Sequence, residues 1–391
     1  MKRTTLIAAA VLAVVLGTTP AFAKTITYPG DYDDPNDAID AAEPGDKVVI
    51  AADWAGPVSV EGRDGVTIQG KKKATITGVS DHPGIEIVDC EDVVVKGLRI
   101  RSVGHGVTIR GSVTCVLTDL DIAMVSEHGI AVGNSSRITI QKCRIGHAGR
   151  DGINLDTDLT GTAPDDCIVT KNTIDGVDDD GIDATGSGHT ISKNRIESTG
   201  SKGINLDANI SGPMTIEKNR ITHTGEHGIH LQTADHTVSG NRVTDAGDDG
   251  IRVDGDRCIV TKNRVRITED DGFDVEGDDA HLEKNSIQDT GGDGIDATGN
   301  GCTYLKNKVT RAGDDGIQIE SDDNLVEKNT FLKCADHGLV VQKGDGDQGH
   351  RNVITKNKAL KNLDDDMWTD WEDADDNTWD KNKYKTGNVP D

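Results

Sequence analysis

The chain has 391 residues and a formal net charge of −26, with 68 acidic residues against 42 basic ones. This excess of acid disfavours binding to nucleic acid or to an anionic lipid surface, because both of those partners are polyanions. Aromatic residues make up only 3% of the chain, whereas glycine occurs 46 times. A thick globular core would use more large rings to fill its volume, so we expect a narrow core.

The first segment is predicted to be a signal peptide. The basic residues Lys2 and Arg3 precede an apolar run at 6–16, and Ala21-Phe22-Ala23 supplies a small-residue cleavage site. This run is too short to span a bilayer, and no later apolar stretch is long enough to do so. We therefore predict that residues 1–23 are removed, that the chain is secreted, periplasmic or on the cell surface, and that it does not insert into a membrane.

The remainder of the chain is organised by a repeat of about 22 residues. A glycine followed by a large apolar residue recurs in register with an asparagine nine residues before it. Within each unit, apolar and polar residues alternate at period two, as in Gly152–Asp156, which predicts two or three short strands rather than a helix. The two columns are Gly84, Gly106, Gly129, Gly152, Gly181, Gly203, Gly228, Gly250, Gly272, Gly294, Gly316 and Gly338, and Asn172, Asn194, Asn219, Asn241, Asn263, Asn285, Asn307 and Asn329.

These features predict an all-β fold, a right-handed parallel β-helix in which the asparagines stack from rung to rung. The chain resembles the bacterial right-handed β-helix proteins of the pectin lyase-like superfamily. The resemblance implies one domain over residues 24–391, with an N-terminal cap at 24–60, about 13 rungs within 61–366 and a C-terminal cap at 367–391. The first cap is expected to hold a short helix that has Pro35 in its first turn and stops at Gly45. The last cap holds Trp368, Trp371 and Trp379, and we expect a monomer.

One inward column of the repeat contains cysteine and histidine. Its cysteines, Cys115, Cys167, Cys258 and Cys302, are at least two rungs apart, which is about 10 Å and beyond the reach of a disulfide. We predict that they are buried thiols and that His189 and His236 in the same column are satisfied core residues. No CxxC or HExxH motif occurs, so neither a zinc nor a copper site is predicted.

The residues that flank the repeat glycines form a carboxylate-rich stripe on one sheet. Like charges stacked at strand spacing repel one another, unless water and salt screen them or cations bridge them. Ca²⁺ is the natural bridging ion because it accepts six to eight oxygen ligands. A solvated acidic face that keeps the protein soluble is the alternative interpretation. The predicted metal ligands are Asp249, Asp271, Asp274, Asp293, Asp296 and Asp315, and no other cofactor is predicted.

Three insertions, at 157–166, 208–213 and 343–351, interrupt the repeat after the same strand, so we expect them to project from one edge of the sheet. The first two are expected to wall a mixed cluster of acids and bases suited to general acid–base chemistry. In that cluster three aspartates would serve as carboxylates, Lys202 or His227 as the base and His230 as an orienting group. The candidate catalytic residues are Asp180, Asp183, Lys202, Asp207, His227 and His230.

The superfamily resemblance implies a polysaccharide ligand, but the motifs of its enzymes are incomplete in this chain. Gly272-Phe273-Asp274 matches the start of the mannuronan epimerase motif, and Val275-Glu276 then replaces its Pro-His. Two hypotheses follow. One is an exported polysaccharide lyase, epimerase or hydrolase. The other is a non-catalytic surface or periplasmic β-helix that binds calcium or glycan.

Overall fold

The computed structural model describes residues 23–391 except 79–80, 157–158, 160, 211, 343–348, 370–375 and 390–391. The predicted signal peptide, most of the third insertion and Trp371 lie outside the described residues. Within the described part of the chain, the strands form three parallel sheets of 16, 14 and 14 strands and about 15 turns of a β-helix. The predicted fold class is confirmed. No helix among these residues is long and apolar enough to cross a membrane.

Each turn of the β-helix contributes one strand to each sheet, in the order sheet C, sheet A, sheet B. Sheet A consists of Thr25–Tyr28, Lys47–Ile50, Thr67–Gly70, Val94–Lys96, Val116–Thr118, Thr139–Gln141, Ile168–Thr170, Thr190–Ser192, Thr215–Glu217, Thr237–Ser239, Ile259–Thr261, His281–Glu283, Thr303–Leu305, Leu325–Glu327, Val353–Thr355 and Thr378–Asp380. Sheet B consists of Trp54–Ala55, Thr75–Thr77, Arg99–Arg101, Asp121–Val125, Arg144–Ala148, Thr173–Val177, Arg195–Thr199, Arg220–Thr224, Arg242–Ala246, Arg264–Thr268, Ser286–Gln288, Lys308–Thr310, Thr330–Leu332 and Lys358–Leu360. Sheet C consists of Val58–Glu61, Ile85–Val88, Val107–Arg110, Ile130–Gly133, Ile153–Leu155, Ile182–Gly186, Ile204–Ile210, Ile229–Leu231, Ile251–Val253, Phe273–Val275, Ile295–Ala297, Gln318–Ile319, Leu339–Val341 and Met367–Thr369.

The core is a narrow column of branched aliphatic side chains. Ile182 pairs with Ile153 on the turn before and with Ile204 on the turn after, and all three are fully buried. Branched side chains stack well on this pleated surface, since each lies over its equivalent in the next rung. The core therefore contains few large rings, as the composition predicted.

The repeat glycines stand at the corner where the chain enters sheet C. A Cβ atom at Gly228 would lie against the Val243 side chain and 2.6 Å from the carbonyl oxygen of Gly250. Real Cβ atoms do not approach a backbone oxygen so closely, so only glycine lets successive rungs stack at this corner. The periodic glycine is thus a steric requirement of the fold.

The asparagine column lies at the corner between sheets A and B and forms a continuous hydrogen-bonded ladder. Asn263 is representative. Its Oδ1 accepts the backbone N–H and the side-chain N–H of Asn241 at 2.9 and 3.1 Å, and its Nδ2 donates to Val238 O and to Asn285 Oδ1. The ladder satisfies backbone groups that a bend would otherwise leave buried and unpaired. Its predicted structural role is confirmed.

The N-terminal end departs from the prediction in two respects. The helix spans Pro35–Asp40, with the Asp34 side chain capping its first turn through the N–H of Asn36, and it ends before Gly45. Strands of the β-helix already begin at Thr25, inside the segment predicted as a cap, so there are more turns than the predicted 13. Sequence periodicity missed these first strands because they lack the repeat glycine.

All seven cysteines are buried and free, including the four of the inward column that were predicted to be buried thiols. His189 and His236 occupy the same column, where their Nδ1 atoms accept the backbone N–H groups of Cys167 and Met214. Their Nε2 atoms are paired with Thr185 O and Thr233 Oγ1. Both histidines are therefore satisfied core residues.

The ladder can be tested by Asn263→Ala, which deletes four side-chain hydrogen bonds and leaves buried donors and an acceptor unpaired. We expect a loss of about 3 kcal/mol or more in the free energy of unfolding, measured by guanidinium denaturation. Asn300→Ala is the matched control. Its side chain bonds at the surface, so a loss nearer 1 kcal/mol is expected. Equal losses for the two variants would contradict a structural ladder.

Candidate functional site

The corner between sheets B and C carries a second ladder, built from Asp249, Asp271, Asp293 and Asp315. We call these four residues the aspartate ladder. The Oδ1 of each accepts the backbone N–H of the residue one turn later, at 2.6 to 3.0 Å. His227 lies before the ladder and His337 after it. The predicted exposed carboxylates are thus mostly buried, with one oxygen committed to the backbone.

Burial shifts the protonation of two carboxylates of this ladder, Asp271 and Asp293. Loss of solvent, together with the charges of neighbouring aspartates, raises the pKa of Asp271 to about 8 and that of Asp293 to about 9. The neighbouring column of sheet C behaves similarly, since burial raises the pKa of Asp274 to about 7 and that of Asp296 to about 6. At neutral pH this stretch therefore holds protons that exposed aspartates would have lost.

The six predicted metal ligands do not converge on one point. Asp293 and Asp315 come together with Asp314, with ligand oxygens all within 4.8 Å of one another. Asp274 is instead bound by the Arg252 guanidinium at 2.7 Å. Arg252 also binds Asp254 at 2.9 Å and contacts Glu276, so this arginine neutralises the middle of the stripe.

Toward the N-terminal side, Asp180, Asp183 and Lys202 lie at the start of adjacent sheet C strands. Asp180 Oδ1 accepts the backbone N–H of Lys202 at 2.7 Å, and Asp183 Oδ1 accepts from Asn205 Nδ2 at 2.9 Å. The Lys202 ammonium lies 2.8 Å from Glu226 Oε2. Glu226 was not singled out from the sequence. It stands two positions before the repeat glycine Gly228, and the candidates were chosen from other columns.

The environments of the two aspartates separate their pKa values. Burial raises the pKa of Asp180 to about 6, a shift held down by the backbone N–H and the charge of Lys202. Burial and the charges of Asp151, Asp180 and Asp156 raise the pKa of Asp183 to about 8. Burial alone would lower the pKa of Lys202, but the bond to Glu226 and the charge of Asp180 raise it overall. Lys202 is therefore held as a cation.

The other three candidates occupy different surroundings. His227 and His230 contact each other with ring centroids 5.0 Å apart, and His230 Nε2 lies 2.8 Å from Asp254 Oδ2. Asp207 is in the middle of the strand Ile204–Ile210, where its carboxylate accepts the N–H of Ala208. The structure therefore brings Asp180, Asp183 and Lys202 together, places the two histidines on the following turn, and leaves Asp207 apart.

The insertions leave sheet C at the corner opposite to the aspartates. Gly212 and Pro213 of the second insertion line a groove of about 520 Å³ with Gln232 and Asp254. A larger groove of about 730 Å³ runs beside the corner between sheets B and C, where Asp178, His147 and His223 line it. The predicted wall beside Lys202 and His227 is absent from the described residues, because insertions after a sheet C strand emerge at its other end.

Four groups of acidic and histidine side chains within the described residues could hold a metal ion. They are Asp151, Asp179 and Asp180; His227, Asp248 and Asp249; Asp293, Asp314 and Asp315; and Asp315, Asp336 and His337. Each lies at the corner between sheets B and C, between one turn and the next. Asp248, Asp314 and Asp336 were missed from the sequence. The repeated acidic residue two positions before the glycine was the available signal.

Two protein-family models match the chain. A model for the right-handed beta helix region matches residues 180–331 and 227–367. A second model, described as periplasmic copper-binding protein (NosD), matches residues 40–255, more than half of the chain. The chain belongs to this NosD family. None of the curated proteins compared with the chain matches it.

The solved structures similar to the chain share its fold at low identity. The catalytic domain of a GH87 α-1,3-glucanase in complex with nigerose is 11% identical, with a TM-score of 0.54 over 94% of this chain and 69% of that one. The D1045A variant of that domain is 10% identical to the chain, with a TM-score of 0.56 over the same shares of the two chains. An alginate lyase from Paenibacillus sp. str. FPU-7 is 15% identical, with a TM-score of 0.47 over 77% of this chain and 95% of that one.

The family description implies copper, and the donor atoms of this chain do not fit a cuprous site. Cu(I) favours cysteine and methionine sulfur, yet every cysteine is buried in the interior. Met214 and Met367 are buried as well, which leaves Met124 as the one exposed sulfur among the described residues. None of the four groups among the described residues contains sulfur or more than one histidine. The available donors are carboxylate oxygens with one imidazole, and we derive no step through copper.

Because of the aspartate ladder, we predict that the free energy of unfolding falls as pH rises. Asp271 and Asp293 keep protons in the folded chain that the unfolded chain has lost, so their contribution is complete below a pKa of about 4 and disappears as pH passes about 8 and 9. In chelator-treated protein, the thermal midpoint should fall by a few degrees between pH 7 and 9. Asp293→Asn keeps the acceptor oxygen and should flatten this fall. The exposed Asp175→Asn should leave it unchanged. A variant Asp293→Asn with the parental slope would refute the assignment.

Proposed function

We propose that this protein is exported to the periplasm or the cell surface, where it binds a neutral polysaccharide across sheet C and hydrolyses it at Asp180 and Asp183. One observation carries the proposal. Two neighbouring carboxyls favour opposite protonation states at neutral pH, one beside a lysine and the other among acids. Such a pair is what an acid and a base working on one glycosidic bond require. The family description as periplasmic and the glucanase fold relatives agree with the compartment and the ligand class.

The reaction follows from those two states. Asp183 carries a proton at neutral pH and acts as the general acid, donating it to the glycosidic oxygen as the bond to the anomeric carbon breaks. Asp180 is ionised and takes a proton from the water that attacks that carbon. The Lys202 ammonium favours the Asp180 anion, which keeps the two pKa values apart. The activity should therefore be bell-shaped in pH, with limbs near about 6 and about 8.

Hydrolysis fits the site better than lyase or epimerase chemistry. Those reactions act on uronates and need a base together with cations that neutralise the substrate carboxylate. Lys202 stays charged beside Glu226, and Arg252 is already bound to three acids. An acidic sheet would also repel a uronate polymer. A neutral glycan avoids both difficulties.

The test is release of reducing ends from α-1,3-glucan and a panel of other neutral glycans. Asp183→Asn and Asp180→Asn should each lower kcat/KM by about 100-fold or more. Asp175→Asn is the matched control, since Asp175 is exposed on sheet B of the same turn, and it should retain full activity. Silence across the panel, or an active Asp183→Asn protein, would reject the proposal. Unsaturated uronate products from alginate or pectate would indicate a lyase instead.

The second candidate is a non-catalytic β-helix that binds calcium, with or without glycan. It is favoured by the convergence of Asp293, Asp314 and Asp315 and by the raised pKa of Asp293. A bridging cation would replace the protons that these carboxyls hold.

In that case, millimolar Ca²⁺ should raise the thermal midpoint at pH 8 by a few degrees. Asp314→Asn, which leaves the aspartate ladder intact, should reduce the effect. A midpoint that does not move with calcium would remove this candidate.

A further inference from the structure

The imidazole of His227 is buried beside two carboxylates without a hydrogen bond to either. The residue is only 8% exposed, and its Nδ1 atom has no hydrogen-bond partner among the described residues. Nδ1 nevertheless lies 3.3 Å from Asp249 Oδ2 and 3.5 Å from Asp248 Oδ2. A buried polar atom without a partner costs free energy. A ligand bound between the nitrogen and the two carboxylate oxygens would remove that cost.

The two distances from His227 Nδ1 to the carboxylate oxygens match the ligand spacing around a tetrahedral cation. Zinc binds imidazole nitrogen and carboxylate oxygen at about 2.0–2.2 Å, which places neighbouring ligand atoms of a tetrahedron about 3.3–3.6 Å apart. Both measured separations from Nδ1 fall in that range. We propose that His227, Asp248 and Asp249 bind one divalent cation of the zinc class at the start of the aspartate ladder.

The surrounding charges leave this position electronegative. The nearest basic side chains are committed elsewhere. The Lys202 ammonium lies 2.8 Å from Glu226, and Arg252 Nη1 lies 2.7 Å from Asp274 but 4.0 Å from Asp249. Burial, followed by the charges of Asp249 and Asp248, raises the pKa of Asp270. A cation at His227 would offset this uncompensated negative charge.

The other histidine groups on this face lack the same feature. His337 Nδ1 is within hydrogen-bond distance of Asp315 Oδ1 at 3.0 Å, and its ring contacts Trp368. His230 Nδ1 is also without a partner, but its Nε2 pairs with Asp254 and no second carboxylate joins these two residues in a metal-sized group. Only at His227 do an unpartnered Nδ1 and two carboxylate oxygens converge among the described residues.

The donor set also defines the class of ion. One imidazole and two carboxylates suit borderline divalent cations such as Zn²⁺, whereas the absence of sulfur disfavours Cu(I). Three protein ligands leave a fourth tetrahedral position. The Asp248 side chain is 42% exposed, so water or a ligand hydroxyl can reach that position from solvent. This site is independent of the proposed hydrolysis at Asp180 and Asp183.

The experiment uses the exported chain purified without a polyhistidine tag and stripped with a chelator. Calorimetric titration with Zn²⁺ should give one equivalent, and Co²⁺ should give the visible absorption of a tetrahedral site. His227→Asn and Asp248→Asn should each weaken Zn²⁺ binding by at least about tenfold. His223→Asn is the matched control. His223 is an exposed histidine on the same turn whose Nε2 lies 3.1 Å from the single carboxylate of Asp245, and its loss should leave binding unchanged.

Asp248→Asn guards against misfolding, since Asp248 is only partly buried and lies outside the aspartate ladder. Its circular dichroism and thermal midpoint without metal should match those of the parent. The proposal is overturned if no stoichiometric Zn²⁺ binding is measured. It is equally overturned if His227→Asn and Asp248→Asn both bind Zn²⁺ like the parent protein.

Discussion

The fold depends on hydrogen bonds that side chains make from one rung to the next. At the corner between sheets A and B, the Asn263 amide accepts two N–H groups of the preceding asparagine and donates to the backbone and to the next amide. Because both halves of the amide are used, a shift of one residue would leave buried groups unpaired in two rungs. The ladder therefore fixes the register, and with it the position of every functional side chain on sheet C.

At the corner between sheets B and C, aspartate rather than asparagine accepts the backbone N–H of the next rung. An asparagine there could accept the backbone N–H as well as Asp249 or Asp271 does. Aspartate adds a charge and a second free oxygen, at the cost of repulsion between rungs and raised pKa values. The fold does not need this charge, so the carboxylates have a purpose beyond the backbone bond. Proton transfer at Asp180 and cation binding beside Asp249 are the two uses we propose.

Much of this architecture could be predicted from the sequence, because the determinants of a β-helix are periodic. Gly228 and Asn263 each recur for steric or hydrogen-bonding reasons that act on every turn, so their columns identify the fold. The first strands escaped detection because Thr25–Tyr28 pairs in sheet A without any repeat glycine nearby. A strand with no marker residue cannot be recognised by its period.

Less of the site could be predicted from the sequence. Spacing does not show which side chains are buried, nor at which end of a strand an insertion emerges. Columns of equivalent residues were found correctly, but nothing in the spacing revealed that Asp180 or Asp293 bonds to the backbone. The insertions were assigned to one edge, whereas Lys202 lies at the opposite end of the strand. Asp248 and Glu226 each stand two positions before a repeat glycine, a column from which no candidate was chosen, and the three-dimensional corner brings them to His227 and Lys202.

The proposed hydrolysis requires that Asp180 and Asp183 have opposite protonation states at neutral pH. The most direct test of this requirement is carboxyl-carbon NMR of protein labelled at aspartate, with the two resonances assigned through Asp180→Asn and Asp183→Asn. We expect Asp180 to titrate near about 6 and Asp183 near about 8. Titration of both carboxyls near the ordinary value of about 3.9 would contradict it.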